Sequence, residues 1–201
     1  MVRIKSIQQL RAIIPSPSET AFAKLYDCLC EQALAFLTQV PFFMLATHGD
    51  WGLEISQRGG RPGFVEVVDN RTLLIPEYAG NHLALGLTNI LGNPAVGAAL
   101  IRPATDEVLR LSGRATLHDD ADLCEAMAAG GKPAVLVIRL AVERAAFHCM
   151  RSARRAGLWN PQAWDAPTRI SFGRIYAEAL GQPEIEAPFD AMAKESDATL
   201  Y

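Results

Sequence analysis

The chain has 201 residues, half of them hydrophobic and a fifth charged, with a formal net charge of -3. That is enough for one substantial domain with a full core, and the composition is that of an ordinary soluble protein. The weakly acidic balance gives no electrostatic footprint for nucleic acid, and no aromatic stacking stripe is present, so a nucleic-acid role is not expected. No apolar run approaches about 18 residues, which predicts no membrane-spanning helix.

The N-terminus, MVRIKSIQQLRAIIP, lacks the unbroken apolar stretch and small-residue cleavage site of a signal peptide. Ile4 to Ile14 reads as a short helix or docking segment, punctuated by Pro15 and Pro17. Ser16-Pro17-Ser18-Glu19 then offers a helix start, with Ser16 as cap, Pro17 at the first helical position and Glu19 completing a capping box. Phe22, Leu25, Leu29, Ala33 and Phe36 recur at helical spacing, which predicts one helix to about Thr38 with an apolar face.

From Pro41 the texture changes to strands. PFFMLATHG closes at Gly49-Asp50, and Leu53 to Arg58 is its hairpin partner. Phe64 to Val68 and Arg71 to Pro76 flank Asp69-Asn70, a pair suited to a tight turn. Ala95 to Arg102 and Val108 to Leu117 are further strands, and Ala134 to Cys149 is one bent strand or two. Helices are predicted at Leu83 to Leu91, Ala121 to Ala129, after Cys149, and at Phe172 to Leu180, with an irregular tail from Gln182. Six or more antiparallel strands with few long connections predict a closed or nearly closed barrel.

The four cysteines, Cys28, Cys30, Cys124 and Cys149, have no disulfide or zinc spacing and read as reduced thiols of a cytoplasmic protein. No catalytic triad, nucleophile elbow, Walker loop or dinucleotide fingerprint occurs, so chemistry would come from a bound cofactor. Three segments carry the polar groups for one. Ser56-Gln57-Arg58-Gly59-Gly60-Arg61-Pro62-Gly63 combines a hydroxyl, a guanidinium suited to phosphate and a backbone that permits close approach. Gly80-Asn81 opens the Leu83 helix, with Asn81 as its cap and free N–H groups behind it for an anion. His148 to Trp159 is basic and ends in a ring that can stack on a flat ligand. Each has a plain alternative: a solvated loop, an ordinary capped helix, a surface helix, and for His148 a hydrogen-bonded core residue rather than a metal ligand.

In their joint order, SQRGGRPGFV, DNRTLLIP, GN with NILGNPAVG, EVLRLSGRA and FHCMRSARRAGLW resemble the pyridoxamine-5'-phosphate oxidase-like, FMN-binding split-barrel proteins. The resemblance extends over nearly the whole chain, to Leu200-Tyr201. It implies a mainly β, α+β fold built on a six-stranded antiparallel split barrel. Residues 1–40 would be a helical segment packed on the barrel, 41–159 the flavin-binding part, and 160–201 a helical extension of the same domain. It implies FMN as cofactor, a homodimer with the cofactor at the interface, and a small-molecule electron donor and acceptor. The expected cofactor contacts include Ser56, Arg58, Asn81 and His82 at the phosphate, with Gly59, Pro76 and Asn89 also in the cofactor site. Arg151, Arg155 and Trp159 would meet the ring. No metal site and no named general acid or base is expected.

The chain departs from the family pattern where Gln57 and Gly60 stand for a proline and an acid, and where Arg151 stands for a lysine. His82 and Leu83 replace two arginines beside the phosphate. A lost charge-assisted contact of about 1.5–3 kcal/mol weakens binding by one to two orders of magnitude. The resemblance leads to an FMN-dependent oxidoreductase. The alternative is a non-catalytic carrier of FMN, of the deazaflavin F420, or of haem.

Overall fold

The structure is a computed structural model and describes residues 1–80 and 82–196. Asn81 and the Leu200-Tyr201 end therefore lie outside the described residues. The strands, β1 (Phe42–Gly49), β2 (Gly52–Gly59), β3 (Glu66–Asp69), β4 (Thr72–Glu77), β5 (Ala95–Ile101), β6 (Glu107–His118) and β7 (Leu136–Cys149), form one sheet in the order β2-β1-β5-β6-β7-β4-β3. The fold is α+β on a seven-stranded antiparallel sheet, one strand more than the family resemblance implies.

The alternating pattern places Phe43, Leu45 and Thr47 of β1 on the buried face, with Val96, Ala98 and Leu100 of β5 and Leu109 and Leu111 of β6. The short β1–β2 connection fixes a register in which Phe43 pairs with Arg58, Leu45 with Ser56 and Thr47 with Glu54. β7 is a single strand. Its alternation breaks where Glu143 and Arg144 are both exposed and Ala145 and Ala146 both buried.

The single helix expected up to Thr38 is interrupted. α1 (Ile7–Ile13) is followed by α2 (Glu19–Ala23) and α3 (Glu31–Leu37). Between the last two, Tyr26 exchanges both backbone hydrogen bonds with Ala145, at 2.9 and 2.8 Å, and the Leu29 N–H donates to the Asn70 carbonyl at 2.7 Å. Sheet-edge pairing competes with the helix here and wins. Ser18, rather than Ser16, is the residue at the start of α2.

The chain forms two compact units. The first comprises Met1–Ile75, Ala84–Leu117 and Ile138–Cys149 and holds most of the sheet with α4 (Leu85–Gly92). The second comprises the described parts of Pro76–Leu83, His118–Val137 and Met150–Tyr201. It contains α5 (Ala121–Ala126), α6 (Arg151–Arg155), α7 (Phe172–Leu180) and α8 (Glu186–Ser196). The tail expected to be irregular is thus helical. Pro188 falls in the first turn of α8, where its missing N–H costs no intrahelical bond.

Candidate functional site

In the first unit the site is built on one face of β2. Alternation sends Glu54, Ser56 and Arg58 to the same side, and α4 crosses over Glu54 and Ser56. Gly86 allows the approach: a Cβ there would stand 3.4 Å from both the Ser56 and the Thr47 hydroxyl oxygens. The Ser56 Oγ is buried and has no hydrogen-bond partner. It lies by the first turn of α4, where the backbone N–H groups have no intrahelical acceptor and the dipole is positive. Arg58 is 7% exposed and donates from Nη1 to the Gln57 carbonyl at 2.8 Å. An orphaned hydroxyl, a buried guanidinium and a helix N-terminus are the donor set a phosphate monoester requires, so these residues fit that group.

Asn89 fixes this arrangement. It is 1% exposed, and its Nδ2 donates to the Gly52 carbonyl at 3.1 Å and to the Thr47 hydroxyl at 3.4 Å. Its Oδ1 accepts from the Trp51 N–H at 3.3 Å. The helix is thereby held to the β1–β2 turn. Gly49 makes room for it, since a Cβ at that position would stand 2.6 Å from the Asn89 Oδ1.

α4 begins later than the sequence suggests. Its N-terminal boundary residue is Ala84, at φ 49°, and no side chain caps it. The expected cap, Asn81, lies outside the described residues. The glycine loop also behaves differently from a free cradle. The Gly60 N–H donates to the Pro41 carbonyl at 3.0 Å and the Gly63 N–H to the Val40 carbonyl at 3.2 Å. Gly59, at the end of β2, pairs with Phe42.

The remaining expected residues belong to the second unit. Pro76 is buried near the end of β4, and His82 is exposed. Arg151 and Arg155 stand one helical turn apart on the exposed face of α6, while Ala153 is buried. α6 closes with Gly157 at φ 62° and the Leu158 N–H donating to the Ala153 carbonyl at 2.9 Å. Trp159, half-buried, follows this stop and does not extend the helix.

Three residues of the first-unit site were not singled out in the sequence: Thr47, Glu54 and Gly86. The period-two pattern of β2 already places Glu54 beside Ser56, and the tight hairpin register places Thr47 opposite Glu54. Only the helix docking reveals Gly86. His148 is a further finding. Its Nε2 is buried and unpartnered, not hydrogen-bonded as a core histidine would be. Burial, then the Arg110 and Lys24 charges, push its pKa below the usual histidine value. Among the described residues no group of three or more metal-ligating side chains occurs. No described helix is long and apolar enough to cross a membrane. All four cysteines are free thiols, with Cys124 buried and Cys149 exposed.

The family profile described as pyridoxamine 5'-phosphate oxidase matches residues 29–149. No curated protein matches the chain. Among solved structures, a HupZ variant from Group A Streptococcus is 18% identical, with 60% of this chain and 99% of that chain covered and a TM-score of 0.48. General Stress Protein 26 from Bacillus anthracis is 13% identical, with 58% and 91% covered and a TM-score of 0.47. An FMN-binding protein from Syntrophomonas wolfei is 8% identical, with 56% and 78% covered and a TM-score of 0.41. The profile match spans well over half of the sequence and takes in β1 to β7, and by that match the chain belongs to the pyridoxamine 5'-phosphate oxidase-like family of FMN-binding split-barrel proteins.

Proposed function

We propose that the protein binds FMN and acts as a flavin-dependent oxidoreductase, two copies of the chain pairing around the cofactor. The observation that carries this reading is the buried, unpartnered Ser56 hydroxyl beside the first turn of α4, with Arg58 on the same strand face. A buried hydroxyl without a partner costs about 1–3 kcal/mol, so its retention asks for a ligand. Ser56 donates to a phosphate oxygen, and the fixed charge of Arg58 offsets the phosphate's negative charge. Asn89 keeps α4 in place over Ser56. The family resemblance assigns Asn81 and His82 to the phosphate side as well, His82 standing where the family commonly has an arginine. The family resemblance also assigns Pro76 to the cofactor site. Arg151 and Arg155 meet the ring carbonyls, and Trp159 shields the ring. When bound, FMN supplies the reversible two-electron chemistry, and the chain's own residues bind it, orient it and exclude water.

The test is an FMN titration followed by flavin fluorescence and absorbance, then addition of NADH or NADPH. One flavin per chain is expected. Ser56→Ala should weaken binding by about two- to tenfold and Arg58→Gln by about ten- to a hundredfold, from one neutral and one charge-assisted hydrogen bond. A chain that takes up no FMN at millimolar concentration sinks the proposal. FMN held tightly but never reduced by any donor leaves the carrier reading in its place.

A further inference from the structure

Helix α1 buries none of its own side chains. Ile7 and Leu10, at helical spacing, stand 77% and 37% exposed, and Ile14, in extended backbone just past the helix, is 55% exposed. An isolated helix needs about 12–15 residues to persist in water, and α1 has 7. Yet its start is well specified, the Ser6 Oγ accepting from the Gln9 N–H at 3.1 Å. A short, capped, amphipathic helix of this kind is stable only against a surface that receives its apolar stripe. Arg11 in the helix, and Arg3 and Lys5 before it, give the arm charges of one sign, with no carboxylate before Glu19.

Helix α7 has the complementary character. Its small residues, Gly173 and Ala177, are buried. A Cβ on Gly173 would run into the Glu186 carbonyl oxygen at the start of α8, and the Gly173 N–H donates to Asp190 Oδ1 at 2.9 Å. The helix pair is therefore closed on that side. Phe172, Ile175 and Leu180 are left exposed along another face, flanked by the half-exposed Tyr176, whose ring packs 5.1 Å from that of Phe189 in α8. From α7 to α8 the chain carries Glu178, Glu184, Glu186, Asp190 and Glu195 against Arg174 and Lys194.

We infer that α1 of one copy docks lengthwise on the Phe172–Leu180 face of α7 in a second copy. The stripes match in chemistry and spacing, and the basic arm meets an acidic helix pair. The arm so ordered contributes a clasp between copies. The inference rests on the proposed pairing of two copies and adds the surfaces that hold the arm.

The experiment mixes a chain carrying Leu10→Cys with a longer, tagged chain carrying Ile175→Cys, oxidises mildly and resolves the products without reductant. A covalent product of one chain of each kind is expected. It should be absent when either cysteine variant is mixed with a chain lacking the other introduced cysteine, which controls for the exposed native Cys149. Removing residues 1–14 should weaken self-association by about tenfold or more in sedimentation. Glu178→Lys, an exposed change on α7, should lower the cross-link yield, and adding Arg11→Glu should restore it. A dimeric wild-type chain with no mixed product overturns the inference and leaves the pairing intact. So does a chain carrying both cysteines that closes only on itself. A wild-type chain that sediments as a monomer at every concentration overturns both.

Discussion

Asn89→Ala tests how the site is held together. The asparagine makes contacts at 3.1 Å to the Gly52 carbonyl, 3.3 Å from the Trp51 N–H and 3.4 Å to the Thr47 hydroxyl. Gly52 and Trp51 lie in a turn that water reaches, so their groups are resolvated when the side chain is lost. Thr47, at 2% exposed, is not resolvated. At about 0.5–1.5 kcal/mol per bond, and with a small cavity added, the substitution should cost about 2–3 kcal/mol. Urea unfolding followed by tryptophan fluorescence measures it, with the midpoint falling and the m-value unchanged. Gly49→Ala gives an independent arm, because its Cβ would press on the Asn89 Oδ1 at 2.6 Å and on the Asn89 Cα at 2.9 Å. In the double variant the Oδ1 clash disappears while the Cα clash remains, so the two losses should sum to more than the double variant shows. A loss below about 0.5 kcal/mol for Asn89→Ala, or strict additivity with Gly49→Ala, would refute the view that this residue staples α4 to the hairpin.

Gly113→Ala should be among the most damaging single-methyl changes, since its Cβ would collide with the Ala141 carbonyl on the neighbouring strand. A loss of about 3 kcal/mol or more in chemical denaturation is expected, and a neutral result would mean the β6–β7 spacing is wrong. His148 sets a pH dependence. Its folded pKa is lowered, so the unfolded chain binds the extra proton first, and stability falls as pH drops below the unfolded value of about 6.5. His148→Gln should flatten the melting temperature between pH 7.5 and 5, and an unchanged profile would remove the histidine from the account. Asp190 has the opposite ordering of proton affinity. The Ser171 hydroxyl and the Gly173 N–H lower its pKa, so its contribution is present above about pH 4 and is lost on acidification below that. Asp190→Asn should remove that low-pH loss, read by circular dichroism of the helical signal.

The strands were readable because their signal is local. Alternation in Phe43 to Thr47 and in Ala95 to Ile101, and turn residues at Asp50 and Asn70, specify pairs that need no distant information. The break between α2 and α3 was not readable, because Tyr26 and Leu29 leave the helical path for carbonyls at Ala145 and Asn70, far along the chain. No proline or glycine between Ser18 and Val40 announces it. The first-unit site was half legible. Ser56 and Arg58 share a face by simple parity, and the glycine between them and Pro62 drew attention to the loop. The reason for those glycines was hidden, since it lies in what Gly60 and Gly63 touch rather than in any motif. Asn89 was legible as a polar residue on a mostly apolar helix, but its partners depend on how α4 docks.

That loop has an entropic consequence. A Cβ on Gly60 would stand 2.8 Å from Phe64, and Gly63, at φ 83°, would place one 2.9 Å from the Thr38 carbonyl oxygen. With both N–H groups bonded as well, residues 60–63 have few conformations left to lose. Ordering a flexible segment of that length on ligand capture costs about 1–2 kcal/mol per residue. Here folding has already met that cost, so anything that docks against the Arg58 end of β2 meets a backbone with little freedom left to lose.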